Sequence, residues 1–200
     1  VDTTLIRLVS GTKVYVHAVI DNFSRRILAW QANESYDTST TSKLLVEAAK
    51  GLEGVVPKVY MDSGVENLNA HVDALVASGT IQRILAQVDV VFSNSMIESW
   101  WRMLKHWWLY LNNLNSIDDV RKQTAFYVDQ HNRVIPHSAF KGQTPDEMYF
   151  GKGSDIPNQL SDARSVARQA RLAANRAVTC SKCASNEPII QIENKPIETG

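Results

Sequence analysis

The stretch "SNSMIESWWRMLKHWWLYL", residues 93–111, reads as one helix carrying four tryptophans and a single glutamate. Ile97, Trp101, Leu104, Trp108 and Leu111 recur at the spacing that gathers apolar side chains on one helical stripe. Glu98 lies beside that stripe, with Arg102 one turn on and Lys105 two turns on. An acid next to so apolar a seam has two readings. Ser95 and Glu98 form the S-x-x-E pattern of a capping box, which ties off free N–H groups at a helix start. The carboxylate can equally belong to a site, and the helix alone leaves both open.

Around this helix, the 200 residues are 44% hydrophobic and 21% charged, enough for one ordinary domain with appendages. Lysine plus arginine equal aspartate plus glutamate at 21 each, so no global positive field points to a nucleic acid. Any such contact must come from local clusters. No apolar run is long enough to span a bilayer and no signal peptide opens the chain, so a cytosolic, reducing compartment is expected. The first residue is Val1, and a piece of a longer chain is therefore expected. Cys180 and Cys183 make a C-x-x-C pair without further ligands, and the histidines show no metal-ligand spacing.

The first third predicts a three-stranded antiparallel meander: "DTTLIRLV", "VYVHAVI" and "RILAWQA", joined by polar turns. A helix over "TSTTSKLLVEAAKG" follows, then a short strand "PKVYMD", a loop "DSGVEN", a helix in "LNAHVDALVASG" and a fifth strand in "TIQRILA". After the tryptophan helix comes a second long helix in "NSIDDVRKQTAFYVDQHN". "TPDEMYFG" opens with Thr144 at the N-cap, Pro145 at N1 and Glu147 at N3. Three segments are expected: a core over 1–151, a basic helical extension over 152–179 and a disordered polar tail over 180–200. The extension carries Arg164, Arg168 and Arg171 on one side. It reads equally as a solvated helix or a phosphate-binding arm.

A meander followed by alternating helix and strand predicts an α/β fold with one mixed five-stranded sheet flanked by helices. That is also the element order of the ribonuclease-H-like fold. Sites in such sheets form beyond the carboxyl ends of parallel strands, and Asp62 ends one. Asp2 opens the first strand and Glu98 starts the helix after the fifth. Where the fourth strand lies beside the first, all three carboxylates converge, and oxygen-only clusters of this kind suit Mg²⁺. Asp21, in a two-strand turn, reads as ordinary turn chemistry.

Thirty-five residues separate Asp62 from Glu98, a spacing that resembles the D,D(35)E pattern of retroviral-type integrase cores. "DTTLI", "VIDNFSRRILAW", "MDSGVEN", "FSNSMIESWWRMLK" and "HNRVIPHSAFKGQTPDEMYFG" are similar, in this order, to the words of bacterial insertion-sequence transposases of the DDE type. The likeness covers residues 1 to about 151. His131 stands where that family usually has tyrosine, and Ile135 where it often has arginine.

The resemblance implies metal-dependent DNA strand cleavage that frees a 3′-hydroxyl, followed by strand transfer of that hydroxyl into target DNA. Asp2, Asp62 and Glu98 are then the ligands of two Mg²⁺ ions, with Mn²⁺ as a substitute. Lys105 and Arg102 become phosphate contacts, joined by Arg164, Arg168 and Arg171. Trp101 and Trp108 are read as core, whereas Trp100 and Trp107 are read as a subunit contact. The implied partners are transposon ends, target DNA and further copies of the chain, with no membrane and a location at the bacterial nucleoid. The competing readings are a non-catalytic, truncated or co-opted transposase that only binds DNA or oligomerises, and a plain nuclease on the same fold. A DNA-recognition domain is expected upstream.

Overall fold

The computed structural model describes residues 1–52, 54–64, 67–85 and 95–177. The expected polar tail with Cys180 and Cys183, and the expected stretch leading into the tryptophan helix, lie outside the described residues. The chain divides into two compact units, residues 1–157 and 158–200.

The meander forms as expected: β1 (Asp2–Arg7), β2 (Lys13–Ile20) and β3 (Ile27–Asn33) pair antiparallel in that order. Asp2 stands opposite Ala18 in this ladder. Strand β2 is central and buried from both sides. Val14, Val16 and Ala18 point to one face, and Val19 to the other. Next come α1 (Ser39–Ala49), β4 (Lys58–Met61), α2 (Ala70–Ala77) and β5 (Gln82–Leu85), with β4 and β5 parallel. Asn69 caps α2 by accepting from the N–H groups of His71 and Val72.

The single five-stranded sheet expected from the sequence is instead a three-stranded and a two-stranded sheet. They meet where the Val1 nitrogen donates to the Tyr60 carbonyl at 3.0 Å. β4 is four residues long and faces only the very start of β1, so contact at one point replaces a continuous ladder.

Helix α3 (Ser95–Trp107) is shorter than the sequence suggests. Trp108 leaves helical geometry at φ −137° and ψ −69°, and Leu109–Leu111 form a 3-10 turn. The cause is a tertiary bond: the Trp108 indole donates to the Gln123 carbonyl at 3.0 Å. Two expectations change with it. Leu111 is exposed, and Leu109 takes its place in the core. Trp100, read as a subunit contact, is 1% exposed and packs within the core, while Trp107 does remain on the surface. Ser95 is the first residue of α3, and the residue before it lies outside the described residues, so both readings of Glu98 stay open here.

Helices α4 (Ile117–Arg133) and α5 (Pro145–Tyr149) complete the first unit. Both open with reciprocal capping boxes, Ser116 with Asp119 and Thr144 with Glu147. Two cores result. Ile6, Val14, Val16 and Ala18 pack against α3 and α4 residues such as Trp100, Leu104 and Tyr127. Val19 and Ala29 pack with Leu45, Met61, Val72 and Ile81. Helix α6 (Ile156–Ala177) has no buried residue, and Arg164, Arg168 and Arg171 on it are exposed. Among the described residues, no helix is long and apolar enough to cross a membrane.

Candidate active site

The site begins with two backbone placements. Pairing with β2 fixes Asp2 at the first position of β1, and the parallel β4–β5 pair delivers Asp62 just beyond Met61. The bond from Val1 to Tyr60 brings these two chain positions to one place. Their charges consequently interact: Asp62 is among the causes that raise the Asp2 pKa from its ordinary 3.8. Burial is the largest of those causes, and the N–H of Thr3 and the Trp101 indole work against it.

Asp62 is held by Gly64 and Asn67. Its Oδ1 accepts from the Gly64 N–H at 3.0 Å and from Asn67 Nδ2 at 2.7 Å. Both bonds fall on one oxygen, and Oδ2 has no hydrogen-bond partner among the described residues. Asn67 itself is fully buried. A carboxylate anchored in this way is an oxygen donor of the kind that a hard cation such as Mg²⁺ accepts.

Helix α3 supplies the third element. The Trp101 Nε1–H donates to Asp2 Oδ2 at 3.0 Å. Glu98 lies one turn before Trp101 and Lys105 one turn after, so all three share the side of α3 that meets β1. Lys105 senses Asp2 as well: burial lowers the lysine pKa from 10.5, and the Asp2 charge opposes that shift. Glu98 and Arg102 are exposed on this side.

The structure therefore brings Asp2, Asp62 and Lys105 together and places Glu98 on the adjoining helical turn. Among the described residues, no three His, Cys, Asp or Glu side chains stand close enough to enclose an ion. Arg164, Arg168 and Arg171 belong to α6, in the second unit from residue 158 onward. Asp21 accepts from the Ser24 N–H at 2.8 Å and hydroxyl at 2.5 Å, which is turn chemistry.

Two contributors escape a sequence reading. Asn67 holds Asp62, and its only signal is its place five residues on in "DSGVEN". Trp101 is fully accounted for by the apolar stripe, so nothing in the sequence marks its indole N–H as a partner of Asp2.

A sequence model of the Integrase core domain matches residues 1–107, and a second model of the same description matches 81–145. The chain belongs to the integrase core domain family. Among the relatives of this integrase core is an Escherichia coli (strain K12) protein named as transposase InsK of insertion sequence element IS150. The two are 22% identical over 140 residues, which is 70% of this chain and 50% of that protein. A transposase-like protein of Haemophilus influenzae is 22% identical over 144 residues, covering 72% of this chain and 66% of that one. The chain thus spans half to about two thirds of the length of these relatives. The resemblance to insertion-sequence transposases of the DDE type agrees with both.

Solved structures agree at the level of fold. The HTLV-2 integrase catalytic core domain, in complex with magnesium, superposes with a TM-score of 0.55 at 16% identity, covering 74% of this chain and 91% of that one. The simian T-cell lymphotropic virus intasome, in complex with a PP2A regulatory subunit, gives 0.60 at 16% identity over 74% and 52%.

Proposed function

We propose that this integrase core is the catalytic part of a DDE-type transposase that cleaves DNA strands and joins a freed 3′-hydroxyl to target DNA. The observation that carries the reading is the meeting of Asp2 and Asp62 at the start of β1, beside the α3 turn that bears Glu98. The D,D(35)E spacing and the insertion-sequence relatives support it.

Asp2, Asp62 and Glu98 would hold two Mg²⁺ ions, with Mn²⁺ able to substitute. Carboxylate oxygens suit both metals, and the HTLV-2 core is described in complex with magnesium. When bound, such ions supply Lewis acidity at the attacking and leaving oxygens of a phosphodiester. The protein's own part is to orient. Gly64 and Asn67 hold one carboxylate, β1 holds another, and Lys105 offers a cation to the phosphate backbone beside them. Arg102 joins this positive surface, and the arginines of α6 are separate phosphate contacts in the same reading. DNA ends and target DNA are the substrates, and a homo-oligomer is the working form. The HTLV-2 core, described in trimeric and dimeric forms, is consistent with the latter. The bacterial nucleoid is the proposed location.

The test is strand cleavage by the purified protein that carries this core. Asp62→Asn should abolish Mg²⁺- and Mn²⁺-dependent cleavage while circular dichroism and thermal melting report an intact fold. Wild-type cleavage by the purified variant would overturn the assignment.

A further inference from the structure

Trp101 is almost fully buried, yet its indole does not end in hydrocarbon. The Nε1–H reaches Asp2 Oδ2 at 3.0 Å, joining residues 99 apart in the chain. Its neighbour Trp100 supplies the contrast, because the Trp100 Nε1 is buried without a hydrogen-bond partner among the described residues. Burial in this seam therefore does not by itself provide an indole with an acceptor. The Trp101 indole is directed at one particular carboxylate.

The chemistry of the donor matters. A lysine or arginine holding Asp2 would neutralise it and repel an approaching cation. An indole N–H donates one hydrogen bond, brings no net charge, and cannot itself ligate a metal. It orders the carboxylate without competing for it. The rigid ring is also fixed by packing, its centroid 4.7 Å from that of Trp100. A held oxygen on Asp2 leaves Oδ1 with a defined direction, and pre-set ligands bind metals more tightly than mobile ones. The same bond ties α3 to the first residue of β1. Glu98, one turn earlier on that helix, is thereby placed relative to Asp2.

We propose that Trp101 is a positioning residue for a metal-binding carboxylate: its indole N–H holds Asp2 Oδ2, presenting Asp2 to a divalent cation and fixing the α3 turn of Glu98 beside it. The proposal rests on the DDE reading above.

The test uses the ¹⁵N-labelled 200-residue chain and follows its five tryptophan indole N–H resonances, assigned through bonds, during a Mg²⁺ titration. The Trp101 resonance should shift and saturate. That of Trp108, which is bonded to a backbone carbonyl, should stay still. Calorimetric Mn²⁺ titrations then compare wild type, Trp101→Phe and Asp62→Asn. Trp101→Phe keeps the aromatic packing and should raise the Mn²⁺ dissociation constant by about tenfold, whereas Asp62→Asn should remove binding. Suppose wild type binds Mn²⁺ and Asp62→Asn does not, yet the Trp101 resonance is unmoved and Trp101→Phe binds as wild type. The positioning role is then overturned and the DDE reading survives. If wild type shows no Mn²⁺ binding that Asp62→Asn removes, both fall. The indole measurement needs no substitution, so it decides even if Trp101→Phe fails to fold.

Discussion

Asn132, near the end of α4, grips both backbone groups of Ile27 at the first position of β3. Its Oδ1 accepts from the Ile27 N–H at 2.9 Å, and its Nδ2 donates to the Ile27 carbonyl at 3.0 Å. Beside it, the His131 Nε2–H donates to the Arg25 carbonyl at 2.8 Å. Arg25 is one of the non-glycine residues with positive φ, at 65°, so the bond falls on a turn that needs support. Arg26 then reaches Asp146 on α5 at 2.6 Å. Two sequence words far apart in the chain, "DNFSRR" and "HNRVIPHSAFKGQTPDE", thus lock together.

Asn132→Ala should therefore act on stability. It strands a buried N–H and a buried carbonyl, at roughly 1–3 kcal/mol for each. For a chain of this size the melting temperature should fall by roughly 5–15 °C. Differential scanning calorimetry of the variant checks this, and an unchanged midpoint would remove the clamp from the account.

His131 should make stability pH-dependent. Burial is the main cause that lowers its pKa below 6.5. Nearby His137 adds to the shift, while the Arg25 carbonyl and Asp146 oppose it. The folded chain thus binds this proton more weakly than the unfolded chain. The stability involved is fully present above the unfolded value and drains as pH falls from there through the folded one. His131→Gln retains a donor for the Arg25 carbonyl but does not titrate. Urea unfolding at pH 7.5 and 5.5 should show a smaller loss on acidification for His131→Gln than for wild type. Equal losses would acquit His131.

Asp2 has the opposite sign. Its pKa is raised, chiefly by burial, so its contribution is favourable only below the ordinary value and is lost as pH rises through the folded one. At pH 7 without metal, the charged carboxylate works against folding. Asp2→Asn, melted in a chelator, should match or exceed the wild-type midpoint, by roughly 1–4 °C, and the gain should vanish below pH 4. Added Mn²⁺ should then raise the wild-type midpoint more than the variant's.

Glu98→Gln preserves size and helix propensity but removes the charge. Under the DDE reading, metal-dependent cleavage by the protein that carries this core should fall by roughly a hundredfold or more. The melting temperature of the metal-free protein should barely change, since Glu98 is exposed. Near-normal cleavage rates would return Glu98 to a purely helical role.

Replacing Arg164, Arg168 and Arg171 together with glutamine tests the α6 surface. Each phosphate contact contributes close to 0.9 to the salt dependence of duplex binding, so the slope should drop by roughly two to three. A fluorescence-anisotropy titration across salt concentrations measures it directly, and an unchanged slope makes the helix merely solvated.

The sequence by itself determined what depends on near neighbours. Alternation along "VYVHAVI", the cap at Thr144 and the helical period after Ser95 are all local, and each yields the element observed. The spacing of Asp62 and Glu98 was legible for the same reason, as was the family likeness that five ordered words carry. Only the tertiary structure decided which atoms meet. Apolar periodicity places Trp100 and Trp101 near one seam but is blind to a ring nitrogen, so it could not tell the indole bonded to Asp2 from the one that is not. It carried the helix on to Leu111, because the bond from Trp108 to Gln123 that ends it comes from another helix. One sheet was expected where two form, because strand patterns register propensity and not how much of β1 stands opposite a four-residue β4. In each case the deciding contact joins residues distant in sequence, and its energy exists only once the chain has closed around it.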